Sequence, residues 1–536
     1  MTRRLARLMS ATAAIGIAAL VLSACVVTPG FPLGHPLNGA PEPTASPSST
    51  PTAAPSGVER YYSQTIHWEE CGYEIECAKV IAPLDWDHPD AGDDITIAMN
   101  RHRATAGKVG SLFANFGGPG AAGTDYIEDY WNYFFSPALV ARFDIIGFDP
   151  RGTGDTLPVQ CYTDPDDIEE WLYGMPDHSW HEDPAEYIEE VQEAAVDYVE
   201  ACEEHSADLQ FIRTIDTARD LDLMRALVGD ERLNYFGWSY GTMLGQAYID
   251  AFPERVGRMV LDGVMDTSTG LFELVLGQQR GFELALTNFL DACPRLTLAT
   301  CPFTSGTEAA KREINRLIVD LNRNPVRATD PRDDRWLDGG VVSTAIASAL
   351  YSERMWPDLA EMFAELLAPT ISTDTAFYLS DSYFQFVPGV GYPDNFYDAF
   401  TAISCSDWAV ETDPRVLGQQ SEAYAQAAPT THDPSMPIFP DPICGSWPYP
   451  ADGYWPRVVK GEGTPTILIV STTGDPATPY ENGVKLAEQL DNAFLLSYDG
   501  EGHLAYRGSG GDECVVDTVD NYLINGTLPS QDLFCR

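Results

Sequence analysis

One stretch constrains the fold of this chain more than any other: Leu233-Asn234-Tyr235-Phe236-Gly237-Trp238-Ser239-Tyr240-Gly241-Thr242-Met243-Leu244-Gly245. Its first residues are a short apolar run suited to a buried strand, and its last read as the opening of a helix. Between them Gly237, Ser239 and Gly241 make a G-x-S-x-G pentad. A serine lifted above the end of a parallel sheet has to sit in a strained turn, and side chains at the two glycine positions would collide with neighbouring backbone. Its hydroxyl can then meet a base from another loop, while the next backbone N–H faces the point where negative charge would develop. The pentad alone is a weak signal, and a plain strand–turn–helix is the alternative. The flanking strand and helix make it specific, and no other serine in the chain has that context.

The remaining motifs fit around that turn. Ser111-Leu112-Phe113-Ala114-Asn115-Phe116-Gly117-Gly118-Pro119-Gly120-Ala121-Ala122-Gly123 reads as a buried strand that runs into a glycine-rich loop. A glycine-rich loop can cradle phosphate, but no G-K-[ST] follows, so the loop reads better as the second half of an oxyanion hole. Asp149 and Arg151 lie in residues 143–154, the next strand and its exit turn, and are expected to pair with each other and brace the adjoining loop. Residues 214–228 look like an amphipathic helix feeding the turn, and residues 258–264 like another buried strand. Residues 464–475 form a late apolar strand ending on Asp475, where a carboxylate can orient an imidazole. After Leu495-Leu496-Ser497-Tyr498, a final short strand, comes Asp499-Gly500-Glu501-Gly502-His503, which puts His503 in a glycine-bracketed loop. Ser239, Asp475 and His503 thus occur in the chain order Ser, Asp, His, which differs from the chymotrypsin and subtilisin orders. Asp475 could instead cap the next helix, His503 could be a surface residue, and Asp262, which also ends a strand, is the alternative acid. Alternating helices and near-continuous apolar strands predict an α/β fold with a mostly parallel sheet covered on both faces.

Arg3, Arg4 and Arg7 precede an apolar run at residues 9–21, closed by Leu22-Ser23-Ala24-Cys25. Residues 1–24 therefore read as an export signal, too short in its apolar run to be retained as a membrane span. The last four residues resemble a bacterial lipobox, in which Cys25 is acylated and becomes the new N-terminus; ordinary cleavage beside a stray cysteine is the alternative. Residues 25–57 are rich in Pro, Ser and Thr and form a tether with a reach of up to ~100 Å. The folded body then divides into a first core part at 58–265, a helix-rich cap at 266–463 and a second core part at 464–536. A formal charge of −48 argues against nucleic acid and against tight binding to anionic lipid, leaving the lipid on Cys25 as the one membrane contact. Apart from Cys25 the cysteines fall in near neighbours, and in an oxidising compartment five disulfides follow: Cys71–Cys77, Cys161–Cys202, Cys293–Cys301, Cys405–Cys444 and Cys514–Cys535. A zinc site is the rival, but its usual C-x₂-C spacing is absent.

Taken together, Gly117-Gly118-Pro119-Gly120, Asp149-Pro150-Arg151-Gly152, Gly237-Trp238-Ser239-Tyr240-Gly241, Gly474-Asp475 and Gly502-His503 resemble the proline iminopeptidase and tripeptidyl aminopeptidase branch of the α/β-hydrolases, exported actinobacterial members above all. The resemblance runs from residue 62 to the C-terminus. It departs at Phe116, where many relatives carry a histidine. It implies an α/β-hydrolase fold and a serine exopeptidase that takes peptides with a free N-terminus through an acyl-enzyme, without cofactor or metal. Ser239 would be the nucleophile, His503 the general base and Asp475 its orienting acid, with the N–H groups of Gly118 and Tyr240 as oxyanion donors. Acidic cap residues would receive the substrate amine. Glu353 and Asp407 are the candidates, since each lies beside an aromatic and apolar run. Prolyl versus tripeptidyl specificity stays open. So do an exported esterase or lipase with the same triad, and an inactive surface binding protein of the same fold.

Overall fold

The structure, a computed structural model, describes residues 57–90, 92–176, 182–297, 300–387, 391–433, 441–507 and 512–536. The expected export signal, Cys25 and the expected tether as far as residue 56 lie outside them. Ten strands form the main sheet: β1 (Glu69–Gly72), β2 (Ile75–Pro83), β3 (Asp94–His102), β4 (Gly110–Asn115), β5 (Phe143–Phe148), β6 (Leu233–Trp238) and β7 (Val256–Asp262), then β10 (Ile467–Gly474), β11 (Ala493–Glu501) and β12 (Leu533–Cys535). Strands β8 (Val326–Arg327) and β9 (Trp336–Leu337) make a separate small hairpin. The sheet order is β1-β2-β3-β5-β4-β6-β7-β10-β11-β12. From β5 to β12 every pairing is parallel, and β1, β2 and β3 join antiparallel at one edge.

Strand chemistry sets the layering. Successive side chains of a strand point to opposite faces, and along β7 and β10 they alternate between two cores. Met259, Leu261, Ile467 and Ile469 enter one; Val260, Leu468 and Val470 enter the other. Strands β4 and β5 are buried at every position, which is why their sequences are largely apolar without an alternation, the polar Ser111, Asn115 and Asp144 being buried too.

Three differences from the sequence-based expectation have physical reasons. Strand β12 is only three residues long, too short to carry a periodicity, and pairs at the edge with β11. The helix Thr214–Leu227 has no solvated face: Asp216, Asp220, Asp222 and Arg225 are all buried in it. Asp149 and Arg151 do not pair with each other. Arg151 lies fully buried and makes a two-pronged contact with Asp220 (Nε to Oδ2 2.6 Å, Nη2 to Oδ1 2.9 Å) while donating to the carbonyls of Pro83, Leu84 and Phe211. Asp149 instead accepts from Thr124 and from the Asp155 N–H. A buried guanidinium needs a partner that matches its fork, and that partner came from the supposedly amphipathic helix.

Between β7 and β10 the chain forms a helical insertion. Its helices include Leu271–Ala292, Thr307–Arg323, Gly339–Leu350, Trp356–Leu366 and Asp374–Tyr383, which share a third core through Phe289, Ile314, Ile346, Phe363 and Leu379. The helix Phe396–Asp407 behaves differently. Its Ala399, Ala402, Ile403 and Cys405 join one core of the sheet, and its Phe396 joins the other. Five disulfides are present: Cys71–Cys77, Cys161–Cys202, Cys293–Cys301, Cys405–Cys444 and Cys514–Cys535. Among the described residues no helix is long and apolar enough to cross a membrane.

Candidate active site

Ser239 stands between the end of β6 and the helix Tyr240–Ala251, at φ 54° and ψ −119°. A non-glycine residue at that φ is strained, so its surroundings have to hold it. The Ser239 N–H donates to the Asp262 carbonyl (3.0 Å) at the end of β7, and its carbonyl accepts the Thr242 hydroxyl (2.6 Å). The flanking glycines are required by close approach. A Cβ on Gly237 would strike the Gly241 carbonyl, and one on Gly241 would stand 2.6 Å from the Asn115 carbonyl. Ser239 itself is 7% exposed.

Strand β4 delivers the glycine loop to the same place. The Asn115 side chain accepts the Gly117 N–H (3.1 Å). Gly117, at φ 96°, has its missing Cβ 2.9 Å from the Trp238 carbonyl and 3.1 Å from the Ser239 Cβ. Any side chain there would push the loop off the serine turn. The Tyr240 N–H opens a helix, where backbone donors lack intrahelical acceptors, and the position of that missing Cβ is 3.6 Å from it. Phe116 is turned into the core. It stacks on Trp238 (ring centroids 5.2 Å apart) and Tyr126 (4.6 Å).

Asp475 and His503 come from the ends of β10 and β11. His503 Nδ1 lies 2.9 Å from both oxygens of Asp475. That carboxylate also accepts the N–H groups of Ala477 (2.9 Å), Thr478 (2.8 Å) and Leu504 (3.2 Å) and the Thr478 hydroxyl (2.9 Å). Asp475 therefore holds the turn at Ala477 and Thr478 as well as the imidazole, but it does not cap the next helix, Tyr480–Gln489, whose N-cap is Pro479. Asp262 does a separate task. Fully buried, it accepts the N–H groups of Ala505 (3.1 Å) and Tyr506 (2.8 Å) and so fixes the backbone beyond the histidine. Burial pushes its carboxyl up to about 7, against those backbone N–H bonds. Gly263, next to Asp262, has its missing Cβ 3.2 Å from His503 Cε1. Through Asp262 and Gly263 the histidine loop and the serine turn are thus neighbours.

The insertion reaches this site directly. The His503 N–H donates to the Tyr351 carbonyl (2.8 Å), and the Tyr351 ring meets the imidazole edge-on, 5.3 Å between centroids and 89° between planes. Glu353 is exposed two residues on, close enough to Glu501 for repulsion to help burial raise the Glu501 carboxyl. Asp407 is held inside the fold. Only 6% exposed, it accepts the Thr214 N–H (3.0 Å) and the Thr214 hydroxyl, and burial pushes its carboxyl up to about 7. Sequence reading missed Tyr351, Thr214 and Thr478. Thr478 carried a signal, a hydroxyl three residues beyond a strand-ending aspartate; Tyr351 carried none. Among the described residues the one grouping of metal-ligating side chains is Asp512, Cys514 and Cys535, and its two sulfurs are joined in a disulfide.

A serine in a strained strand-to-helix turn, with a carboxylate-held histidine from the last strands of a mostly parallel sheet, defines a serine hydrolase of the α/β-hydrolase fold. The chain is 34% identical to Serine protease Hip1 of Mycobacterium tuberculosis, over 99% of this chain and 98% of that one. It is 32% identical to a protein of the same organism named Carboxylesterase B, over 97% and 98%, and 28% identical to Tripeptidyl aminopeptidase of Streptomyces lividans, over 88% and 86%. Residues 432–535 match the family described as TAP-like protein. The chain belongs to the α/β-hydrolase family that includes Serine protease Hip1.

Proposed function

We propose that this enzyme is an exported serine exopeptidase that cleaves peptides from a free N-terminus. Ser239 attacks the scissile carbonyl, and His503 takes its proton and later delivers it to the leaving amine. Asp475 holds the imidazole so that Nε2 faces the reaction and stabilises the imidazolium that forms. The N–H groups of Gly118 and Tyr240 stabilise the tetrahedral oxyanion. The observation that carries this reading is the His503–Asp475 contact beside a serine held at positive φ. The peptide part of the reading rests on relatives named as a serine protease and a tripeptidyl aminopeptidase.

The helical insertion is the cap, and its Tyr351 meets the His503 ring edge-on. A cap over the serine admits the end of a peptide and excludes folded protein. The substrate's ammonium needs a carboxylate, because an unpaired charge in a desolvated site is costly. Glu353, with Glu501 beside it, is our candidate; Asp407, engaged with Thr214, is not. Export and a lipid anchor on Cys25 are supported by the leader-like residues 1–24 and by five disulfides.

A second reading is favoured by the relative named Carboxylesterase B: an esterase would use the same serine, histidine and oxyanion donors. Rates on tripeptidyl and aminoacyl amides, on their N-acetylated forms and on simple acyl esters separate the two. Loss of the charged amine contact is expected to cost ~2–5 kcal/mol, so the acetylated amides should be turned over roughly 30-fold to several thousandfold more slowly. Equal rates on free and acetylated amides rule out the exopeptidase.

A further inference from the structure

The insertion has its own core, yet the helix Phe396–Asp407 leaves it and packs into both cores of the sheet. Its two ends fall on the two halves of the site. At the start, the Phe396 ring lies 3.2 Å from the position a Cβ would take on Gly118. The Phe396 carbonyl and the Phe400 N–H crowd Gly120 so closely that no side chain fits there; the Phe400 nitrogen is 3.1 Å from that missing Cβ. At the far end, Asp407 accepts the N–H and hydroxyl of Thr214, and the Thr214 hydroxyl is hydrogen-bonded to the Tyr240 hydroxyl.

The direction of that chain follows from its atoms. A carboxylate accepts only, and a threonine hydroxyl has one proton. With Asp407 ionised, Thr214 donates to Asp407 and therefore accepts from Tyr240. Each group in the relay is buried: Thr214 0%, Tyr240 2% and Asp407 6% exposed. Tyr240 is the residue after the serine, and its backbone N–H is one of the two proposed oxyanion donors. A helix of twelve residues spans about 18 Å, which is enough to bridge the glycine loop and the foot of the serine turn.

The geometry points to the helix Phe396–Asp407 as a splint for the oxyanion site, with Asp407 a positioning residue that acts on Tyr240 through Thr214. The inference rests on the reading of Gly118 and Tyr240 as oxyanion donors. On this view the insertion does more than select substrate: it sets the distance between the two donors, and so contributes to the chemical step itself.

The test uses the intact chain with a small p-nitrophenyl acyl ester, so that it does not depend on the peptide reading. Asp407→Asn, Thr214→Val and Tyr240→Phe break the relay at three places, and Thr214→Ser restores the hydroxyl. One oxyanion donor is worth about 10²–10³ in kcat; shifting one without removing it is expected to lower kcat about tenfold. KM should stay within about twofold, and the Ki of a small aliphatic aldehyde, which forms a tetrahedral adduct, should rise in step with the fall in kcat. Thr214→Ser should behave as the wild type. Tyr240→Phe removes a single hydroxyl and carries the test should Asp407→Asn fail to fold. Combined with Thr214→Val it should add little, because both break one chain. A rise in KM with kcat unchanged would return Asp407 to the substrate and overturn the proposal. Unchanged kcat and aldehyde affinity in all three variants would reduce the relay to anchorage and overturn it too. Ester hydrolysis that survives Ser239→Ala would instead remove the serine reading beneath it.

Discussion

The carboxyl edge of the sheet and the insertion above it place their site residues by different physics. At the sheet edge, Asn115 ends β4, Ser239 follows β6, Asp262 ends β7, Asp475 follows β10 and His503 comes two residues after β11. Parallel register converts each of those chain positions into a place in space: Trp238 pairs with Asp262, and Val470 with the same Asp262 on its other side. In the insertion, Tyr351, Phe396 and Asp407 reach the site from the ends of helices. Where a helix end falls depends on what its apolar stripe packs against, not on a ladder. The sheet therefore fixes chemistry with little tolerance, while the insertion adjusts it.

The hardest way to break that contrast is at the sheet edge. Ser239→Ala or His503→Ala is expected to lower kcat by about 10⁴–10⁶, and to no greater extent when combined, since the pair acts as a unit. The two buried aspartates should separate. Asp475→Asn is expected to cost about 10³–10⁴ in kcat through the wrong imidazole tautomer besides any loss of stability, whereas Asp262→Asn, whose carboxyl is bonded to backbone only, should chiefly lower the melting temperature. Steady-state rates and thermal melts on the same samples decide it. A near-normal kcat for Asp475→Asn beside an inactive but folded Asp262→Asn would exchange the two assignments.

The same contrast explains what could be read from the sequence. The β4, β6, β7 and β10 strands announced themselves as apolar runs, and Ser239, Asp475 and His503 stood where such runs stop. Gly237 and Gly241 carried their reason openly, because a close approach excludes every other residue. Asp149 with Arg151 went wrong for the opposite reason. Two opposite charges two residues apart look like a pair, but the buried guanidinium took its partner, Asp220, from far along the chain. Asp407 went wrong likewise: an acid beside aromatics fits a ligand pocket and a buried cap–core junction equally, and only packing tells them apart. Helix Thr214–Leu227 looked amphipathic because its charged residues were counted as a wet face, when Arg151, Arg255, Tyr62 and Tyr248 cover them.

Disulfides offer a middle-sized test. Cys405–Cys444 holds the splint helix and closes 39 residues, while Cys293–Cys301 sits beside the insertion's own core and closes 8. In the chain-entropy picture the first adds about 4 kcal/mol and the second about 2–3 kcal/mol. Paired Cys→Ser replacement should lower the melting temperature more for Cys405–Cys444, and only that pair should also lower kcat. Equal loss of kcat from Cys293–Cys301 would mean that the whole insertion, not one helix, braces the site.

The smallest effect sets one buried carboxyl from each region against the other. Asp262 under the histidine loop and Asp407 at the end of the splint helix are both pushed by burial to about 7, well above an unfolded aspartate near 3.9. The sign is the reverse of the usual aspartate. Between about pH 4 and pH 7 the folded state holds protons that the unfolded state has released, so stability falls as pH rises through that window and the loss is complete above it. The melting temperature is therefore expected to be about 2–5 °C higher near pH 5 than near pH 8. Self-repulsion at a formal charge of −48 acts in the same direction, so the wild-type slope alone proves nothing about either group. The comparison lies in the variants. Asp262→Asn and Asp407→Asn should each flatten the slope, since an amide has no proton to bind, while leaving the global repulsion almost untouched. If Asp262→Asn flattens it and Asp407→Asn does not, Asp407 ionises freely in the folded enzyme, and the junction that holds Tyr240 is more open to water than its 6% exposure implies.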